Sequence, residues 1–157
     1  MSGGKTLVAY VSKGGVTAEA ASVTAEVLRE KYRLEIDVVN LKKSLSPNLA
    51  PYQNIIIGVG VRMQKVYKEA LEFLKSDFGG KKVAIFLSSL EAGGPKIHQQ
   101  AITKYIINVM AKYLQVEPVA AEGFGGRMTI LGKTVADSSG MGKVRAWAEE
   151  LGAKLTT

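Results

Sequence analysis

The sequence predicts an α/β fold in which one parallel β-sheet is layered between helices. Three observations lead there. Short runs of strand-forming residues alternate with longer segments of helical period. Two of those runs, Asn54-Ile55-Ile56-Ile57-Gly58-Val59-Gly60 and Lys82-Val83-Ala84-Ile85-Phe86-Leu87-Ser88, are apolar almost throughout, as strands covered on both faces are. Glycine- or proline-containing turns separate most of the elements. The 157 residues suit a single domain, taken as 1–157, large enough to bury a core without staples.

In chain order, residues 6–11 form the first expected strand, stopped by Ser12-Lys13-Gly14-Gly15. From Ala18 the period becomes 3.6: Ala20, Ala21, Thr24, Val27, Leu28 and Lys31 share a face, with Glu19, Glu26 and Glu30 elsewhere. Residues 34–41, dominated by Ile36, Val38 and Val39, read as a second strand. A loop with Pro47 and Pro51 leaves any helix before the third strand (residues 54–60) short or missing. The next helix places Val66, Ala70, Phe73 and Leu74 on one face, encloses Tyr67, and ends near Phe78-Gly79-Gly80. Residues 82–88 are the fourth strand. A long helix opening at Pro95 or Lys96 carries Ile102, Tyr105, Ile106, Val109, Met110 and Tyr113. Residues 116–124 hold a weaker fifth strand, a glycine-rich loop covers 123–142, and a last helix aligns Val144, Trp147, Leu151 and Leu155. In such sheets ligands lie beyond the carboxyl ends of the strands, so those loops are where chemistry is expected.

Composition narrows the function. With no Cys and one His, disulfides, thiolate chemistry and Cys- or His-rich metal sites are excluded. No apolar run approaches the roughly 18 residues of a membrane span, and the N-terminus does not read as a secretory signal, so a cytoplasmic protein without an integral membrane segment is expected. The excess of 21 Lys+Arg over 14 Asp+Glu, a net charge of +7, points to an anionic partner.

The first strand-end loop is Ser12-Lys13-Gly14-Gly15-Val16-Thr17. Its glycines let backbone N–H groups turn inward, Ser12 and Thr17 add hydroxyls, and the helix start adds unpaired N–H groups, which together suit a phosphate monoester. Taken alone, the loop equally suits an ordinary strand-to-helix turn with Thr17 as N-cap. Strand, Ser-x-x-Gly-x-Thr loop and helix resemble the phosphate-binding loop of flavodoxins, usually Thr/Ser-x-Thr/Ser-Gly-x-Thr. Ser12, Gly15 and Thr17 match, while Gly14 stands where a hydroxyl is usual. The resemblance spans nearly the whole chain, including Leu49-Ala50-Pro51-Tyr52-Gln53-Asn54 before the third strand. It implies a flavodoxin-like three-layer fold with a five-stranded parallel sheet of order 2-1-3-4-5, and flavin mononucleotide (FMN) as cofactor.

Within that group the chain is most similar to menaquinone-dependent protoporphyrinogen oxidases and related flavodoxin-domain proteins. The likeness lies in Ile57-Gly58-Val59-Gly60-Val61-Arg62-Met63, in Tyr67-Lys68-Glu69-Ala70-Leu71-Glu72-Phe73-Leu74, in Phe124-Gly125-Gly126-Arg127 and in Val144-Arg145-Ala146-Trp147-Ala148. The long basic insert of those oxidases after the last strand is not expected, since Arg127 to Asp137 is short. The resemblance implies further flavin contacts. Gly60, Val61, Arg62 and Met63 in the second loop would border the ring, and Ser88, Ser89, Leu90 and Glu91 in the third would lie along its pyrimidine side and ribityl chain. With no Trp or Tyr expected at these tips, the usual aromatic sandwich is incomplete, and weaker FMN binding follows. Lys13, Arg62, Lys65 and Arg127 would gather on one rim against Glu91.

Other motifs fall away. Ser139-Gly140-Met141-Gly142-Lys143 lacks the first Gly and the Ser/Thr of a P-loop, and no Gly-x-Gly-x-x-Gly follows a strand. The acidic cluster of a phosphoacceptor domain is missing from the first and third strand ends. His98 has no partner in sequence, and Trp147 reads as core. No basic stripe with interleaved aromatics suggests nucleic acid. The expectation is therefore an FMN-binding oxidoreductase, its partner a redox protein or a small-molecule acceptor such as a quinone or NAD(P)H, with homodimerisation open. No residue is assigned as catalytic. An electron carrier without its own substrate, and a flavin-free interaction module of the same fold, are the alternatives.

Overall fold

The computed structural model describes residues 4–11, 16–44, 47–62, 65–88, 112–114, 116–124, 127–130, 133–137 and 141–157. The strands are β1 (Lys5–Val11), β2 (Glu35–Asn40), β3 (Asn54–Arg62), β4 (Lys65–Val66), β5 (Lys82–Ser88), β6 (Ala120–Phe124), β7 (Arg127–Ile130) and β8 (Lys133–Asp137). The helices are α1 (Val16–Tyr32), α2 (Lys68–Leu74) and α3 (Met141–Leu155).

The parallel strands run in the order β2-β1-β3-β5-β6, so the five-stranded 2-1-3-4-5 sheet is present, with β5 and β6 as its fourth and fifth strands. Successive side chains on a strand face opposite layers. Ile55, Ile57 and Val59 of β3 therefore join Ala70, Phe73 and Leu74 of α2 in one cluster, with Val83, Ile85 and Leu87 of β5. Ile56 faces the other way with Ala84 and Phe86, against Ala20, Ala21 and Leu28 of α1 and Val144, Trp147 and Leu151 of α3. The continuous apolar runs are thus explained: β3 and β5 are covered on both sides.

Several boundaries differ from the sequence reading. α1 starts at Val16, two residues early, and Lys31 leaves its apolar face to pair with Glu149 at 3.4 Å, since its exposed ammonium gains more from a carboxylate than from burial. Val66 is not helical. β3 continues to Arg62 and folds back on β4, with Val61 opposite Val66 and Arg62 opposite Lys65. The β-branched pair favours a strand over a helix start. α2 then spans only Lys68–Leu74, and Tyr67 is its extended N-cap (φ −62°, ψ 139°) rather than an interior residue. The glycine-rich stretch before α3 is not all loop. β7 and β8 pair there in antiparallel fashion, with a register shift between Met128 and Thr129. Thr129, Ile130, Thr134 and Val135 favour extended backbone and outweigh the glycines around them. The long helix expected from Pro95 or Lys96 lies outside the described residues, although Tyr113 packs against the α2-side cluster.

Gly58 shows how closely the α3 layer approaches. A Cβ built there would overlap the Phe86 ring, which stacks edge-on against Trp147 (5.8 Å) and tilts against Phe124 (5.9 Å). Gly58→Ala should therefore destabilise by about 1–3 kcal/mol, more than the roughly 0.5–1 kcal/mol gained by removing a strand glycine. Urea unfolding checks this through the midpoint, with an unchanged slope expected.

Candidate functional site

The carboxyl ends of the central strands meet at one rim. In register, Val11 of β1 stands beside Val59 of β3, Gly60 beside Ser88 of β5, and Ser88 beside Phe124 of β6. α1 begins at this same end because a helix that follows a parallel strand must return antiparallel to it. Its second residue, Thr17, is buried, and its Oγ1 lies 3.0 Å from where a Cβ of Gly60 would be. The absence of a side chain at Gly60 is what lets the threonine hydroxyl sit over the end of β3. Thr17 is inside the first turn and not at the N-cap, which removes the plain capping role that the loop alone allowed.

Ser88 completes the row. It is 5% exposed, and its Oγ has no hydrogen-bond partner among the described residues. A buried hydroxyl left in that state costs about 1–3 kcal/mol, so its retention at a rim is a mark of a polar ligand position. Thr24 Oγ1 is the other orphan, but it lies two turns, about 10 Å, along α1 within the core and faces no rim.

Tyr67 was missed from the sequence. As the N-cap of α2 its ring comes to 3.5 Å from a Cβ position at Gly60, and Lys42 Nζ stands 4.6 Å over that ring. The Val61–Val66 pair, once read as a hairpin, would have moved Tyr67 out of the helix and to this rim.

The structure therefore brings Thr17, Gly60 and Ser88 together and adds Tyr67. Val16 opens α1, and Val61 and Arg62 are placed by backbone in the hairpin. Arg62 and Lys65 are paired in register as strand residues ahead of α2. Arg127 opens β7. Ser12, Lys13, Gly14, Gly15, Met63, Ser89, Leu90 and Glu91 lie outside the described residues, as does His98.

The groups with shifted acidity are elsewhere. Asp37 of β2, opposite Leu7, accepts a hydrogen bond from the Tyr52 hydroxyl at 2.7 Å and pairs with Lys5 Nζ at 3.2 Å. The Tyr52 bond first and the Lys5 bond second hold the Asp37 carboxyl below its ordinary 3.8, against a smaller opposing effect of burial. Tyr52 is pushed up to about 12, by its bond to Asp37, then by burial. Tyr52 precedes β3 and Lys5 begins β1, so this network sits toward the amino ends of the strands and ties them together, away from the rim. Among the described residues no group of three His, Cys, Asp or Glu could hold a metal, and no helix is long and apolar enough to cross a membrane.

A protein-family model described as a flavodoxin domain matches residues 7–151. No curated protein matches the chain in sequence. Among solved structures, the chain is similar to oxidised flavodoxin 1 from Bacillus cereus, at 22% identity and a TM-score of 0.61, over 96% of each chain. It is similar to the flavodoxin of Streptococcus pneumoniae at 16% identity and a TM-score of 0.58, over 95% of this chain and 98% of that one. It is also similar to a mutant flavodoxin of Fusobacterium nucleatum bound to flavin mononucleotide, at 13% identity and a TM-score of 0.55, over 98% of each. At these identities the likeness is one of fold.

Two tests address the polar groups. For Asp37, whose acidity is raised by folding, stability is present above its unfolded value and is lost as pH falls through the lower folded value. For Tyr52, stability is present below pH 10.0 and is lost as pH rises toward about 12. Tyr52→Phe should cost about 1 kcal/mol at neutral pH and flatten both losses in a pH series of urea midpoints. Thr24→Val, which replaces a buried orphan hydroxyl by a methyl, should stabilise by about 1 kcal/mol in the same assay.

Proposed function

We infer that this chain, which belongs to the flavodoxin-domain family, binds FMN across the carboxyl ends of β1, β3 and β5 and moves electrons through it. The observation that carries the reading is the Ser88 hydroxyl, buried and without a described partner, in the same strand-end row as Gly60 and the buried Thr17. The donor set fits a phosphorylated, polar-edged ligand: hydroxyls at Thr17 and Ser88, and a glycine whose missing side chain leaves the backbone approachable.

Each residue then has a role. Thr17 donates its hydroxyl to the phosphate, and the first-turn N–H groups of Val16 and Thr17, without partners inside the helix, add to it with the positive end of the helix dipole. Ser12, Lys13, Gly14 and Gly15 extend this cradle in the family pattern. Gly60 and Val61 offer backbone groups to the polar edge of the ring, Met63 covers a face, and Arg62 supplies positive charge near it. Ser88 donates its hydroxyl from the neighbouring strand, with Ser89, Leu90 and Glu91 continuing that side. Tyr67, beside Gly60, adds an aromatic surface worth about 0.5–1.5 kcal/mol where it meets a ring. FMN, when bound, supplies the redox chemistry that a chain without Cys lacks.

As an oxidoreductase the protein would use a diffusible acceptor. The similarity of residues 57–63 and 67–74 to menaquinone-dependent oxidases makes a quinone the first to test, with NAD(P)H as donor. An electron carrier is the second reading, supported by the family and by similarity in fold to flavodoxins.

FMN and riboflavin titrations, followed by flavin fluorescence, test the phosphate loop. Ser12→Ala combined with Thr17→Ala should weaken FMN binding by at least about tenfold, the effect of losing a hydrogen bond to a charged group. Riboflavin, without a phosphate, should be nearly unaffected. Equal losses for both ligands would refute the assignment. Turnover of the loaded protein with a quinone separates the enzyme from the carrier.

A further inference from the structure

β2 is an outer strand of the described sheet, with β1 as its neighbour. Leu41 N–H donates to the Tyr10 carbonyl at 2.8 Å, so residues 35, 37, 39 and 41 turn their backbone groups toward β1. Residues 36, 38 and 40 therefore turn theirs outward. Such a row is a template for a further strand unless it is covered. The chain covers it at both ends. At one end the Arg29 guanidinium reaches over from α1 and donates to the Ile36 carbonyl at 2.8 Å. At the other, the Asn40 carbonyl accepts from Lys43 N–H at 3.0 Å and from Ser44 N–H at 3.1 Å. Between them, both backbone groups of Val38 are without a described partner, and Val38 is the one large apolar residue exposed among those described.

We propose that Arg29 guards this edge, and that the strand it excludes is β2 of a second copy of the chain. The pattern of free groups selects that occupant. Antiparallel pairing about a two-fold axis at Val38 sets Val38 against Val38 of the second copy, each N–H donating to the other's carbonyl. The same register sets Ile36 against Asn40 of the second copy, whose N–H would need the carbonyl that Arg29 holds. It also sets Asp37 against Val39, so no like charges meet within the strands, whereas an axis at Asp37 would oppose two carboxylates. An axis at Val39 sets Val38 against Asn40, whose carbonyl the following turn already occupies twice. Arg33 and Lys43, both exposed, would approach each other across the copies just beyond the strand, which limits the added ladder to residues 36–40. A two-fold contact closes on itself, so release gives a dimer and not a filament. Arg29 stands in its way twice, once on each copy, and its guanidinium stays charged at any working pH. The inference does not depend on flavin binding.

Sedimentation velocity over a concentration series of the full chain, with hydrogen exchange at the Val38 amide, tests this. The unaltered chain should sediment as a monomer with a fast-exchanging Val38 amide. Arg29→Met keeps a straight, helix-forming side chain and removes the donor. It should dimerise, with a dissociation constant lower by about hundredfold or more, because neither copy then gives up a bond from a charged donor, and the Val38 amide should slow. Arg29→Ala is the second release variant, with the same outcome expected. Lys31→Met removes an equal charge from α1 away from the edge and should stay monomeric. Adding Val38→Lys to Arg29→Met should restore the monomer, since two lysines would then face each other. Register is read by crosslinking, because the chain has no Cys of its own. Under mild oxidation Val38→Cys should form a disulfide-linked dimer with Arg29→Met and not without it, the paired backbones lying at a bridgeable distance. A dimer of the unaltered chain with a slow Val38 amide would overturn the proposal, as would folded Arg29 variants that stay monomeric. Species larger than a dimer, or dimers that survive Val38→Lys or fail to crosslink, would overturn it equally.

Discussion

Where β3 enters the sheet, the Asn54 side-chain amide donates to the Thr6 hydroxyl at 2.9 Å, and both residues are buried. Two polar groups enclosed in this way must meet each other, because burial without a partner costs more than the bond gains. They fix Thr6 of β1 opposite Asn54 of β3, and the ladder then runs in step to Val11 opposite Val59. The same register on the other side carries Asn54 opposite Lys82 through to Gly60 opposite Ser88. A slip of one residue would turn Ile56 into the α2 layer and Ile55 and Ile57 into the α1 layer. It would also move Gly60 from under Thr17. The rim is therefore a consequence of a register set at the far end of the strands.

Most of the described polar network with shifted acidity lies at the amino end of the sheet. At the amino end Lys5, Asp37, Glu35 and Tyr52 satisfy one another, and Lys81 Nζ donates to the Tyr52 carbonyl at 2.6 Å. Asp37 is still 45% exposed on its side chain, so this network joins strands more than it stores energy. At the carboxyl end the polar groups are left incomplete: a hydroxyl at Ser88 without a described partner, and lysines at positions 42, 43 and 68 without counter-charges among the described residues.

Three residues of the candidate site were readable because they stand at strand ends. Thr17 follows from the loop pattern, Gly60 and Ser88 from the parallel-sheet rule together with the resemblance to flavodoxins, and the structure sets the three side by side. Tyr67 was not readable in the same way. A window of helical period over residues 66–74 absorbs both Val66 and Tyr67, and periodicity cannot separate a hairpin of two-residue strands from the first turn of a helix. The cost of that error was a missing aromatic group at the rim. The ribbon of β7 and β8 was lost for a related reason: glycines mark breaks, and four β-branched residues between them were too few to register as strands.

By itself, the sequence determined the layered α/β class with a parallel sheet, the burial of β3 and β5 on both faces and the absence of thiol chemistry, while the strand order 2-1-3-4-5 came from the resemblance to flavodoxins. These depend on hydrophobic pattern and residue inventory, which are local properties of the chain. Tertiary structure alone decided that Thr17 lies against Gly60, that Tyr67 reaches the rim with Lys42 above it, and that Arg62 faces Lys65. Those relations join residues 43, 25 and 3 positions apart through strand register and helix entry. No local window contains the long ones, and for the short one the choice between hairpin and helix is settled by packing.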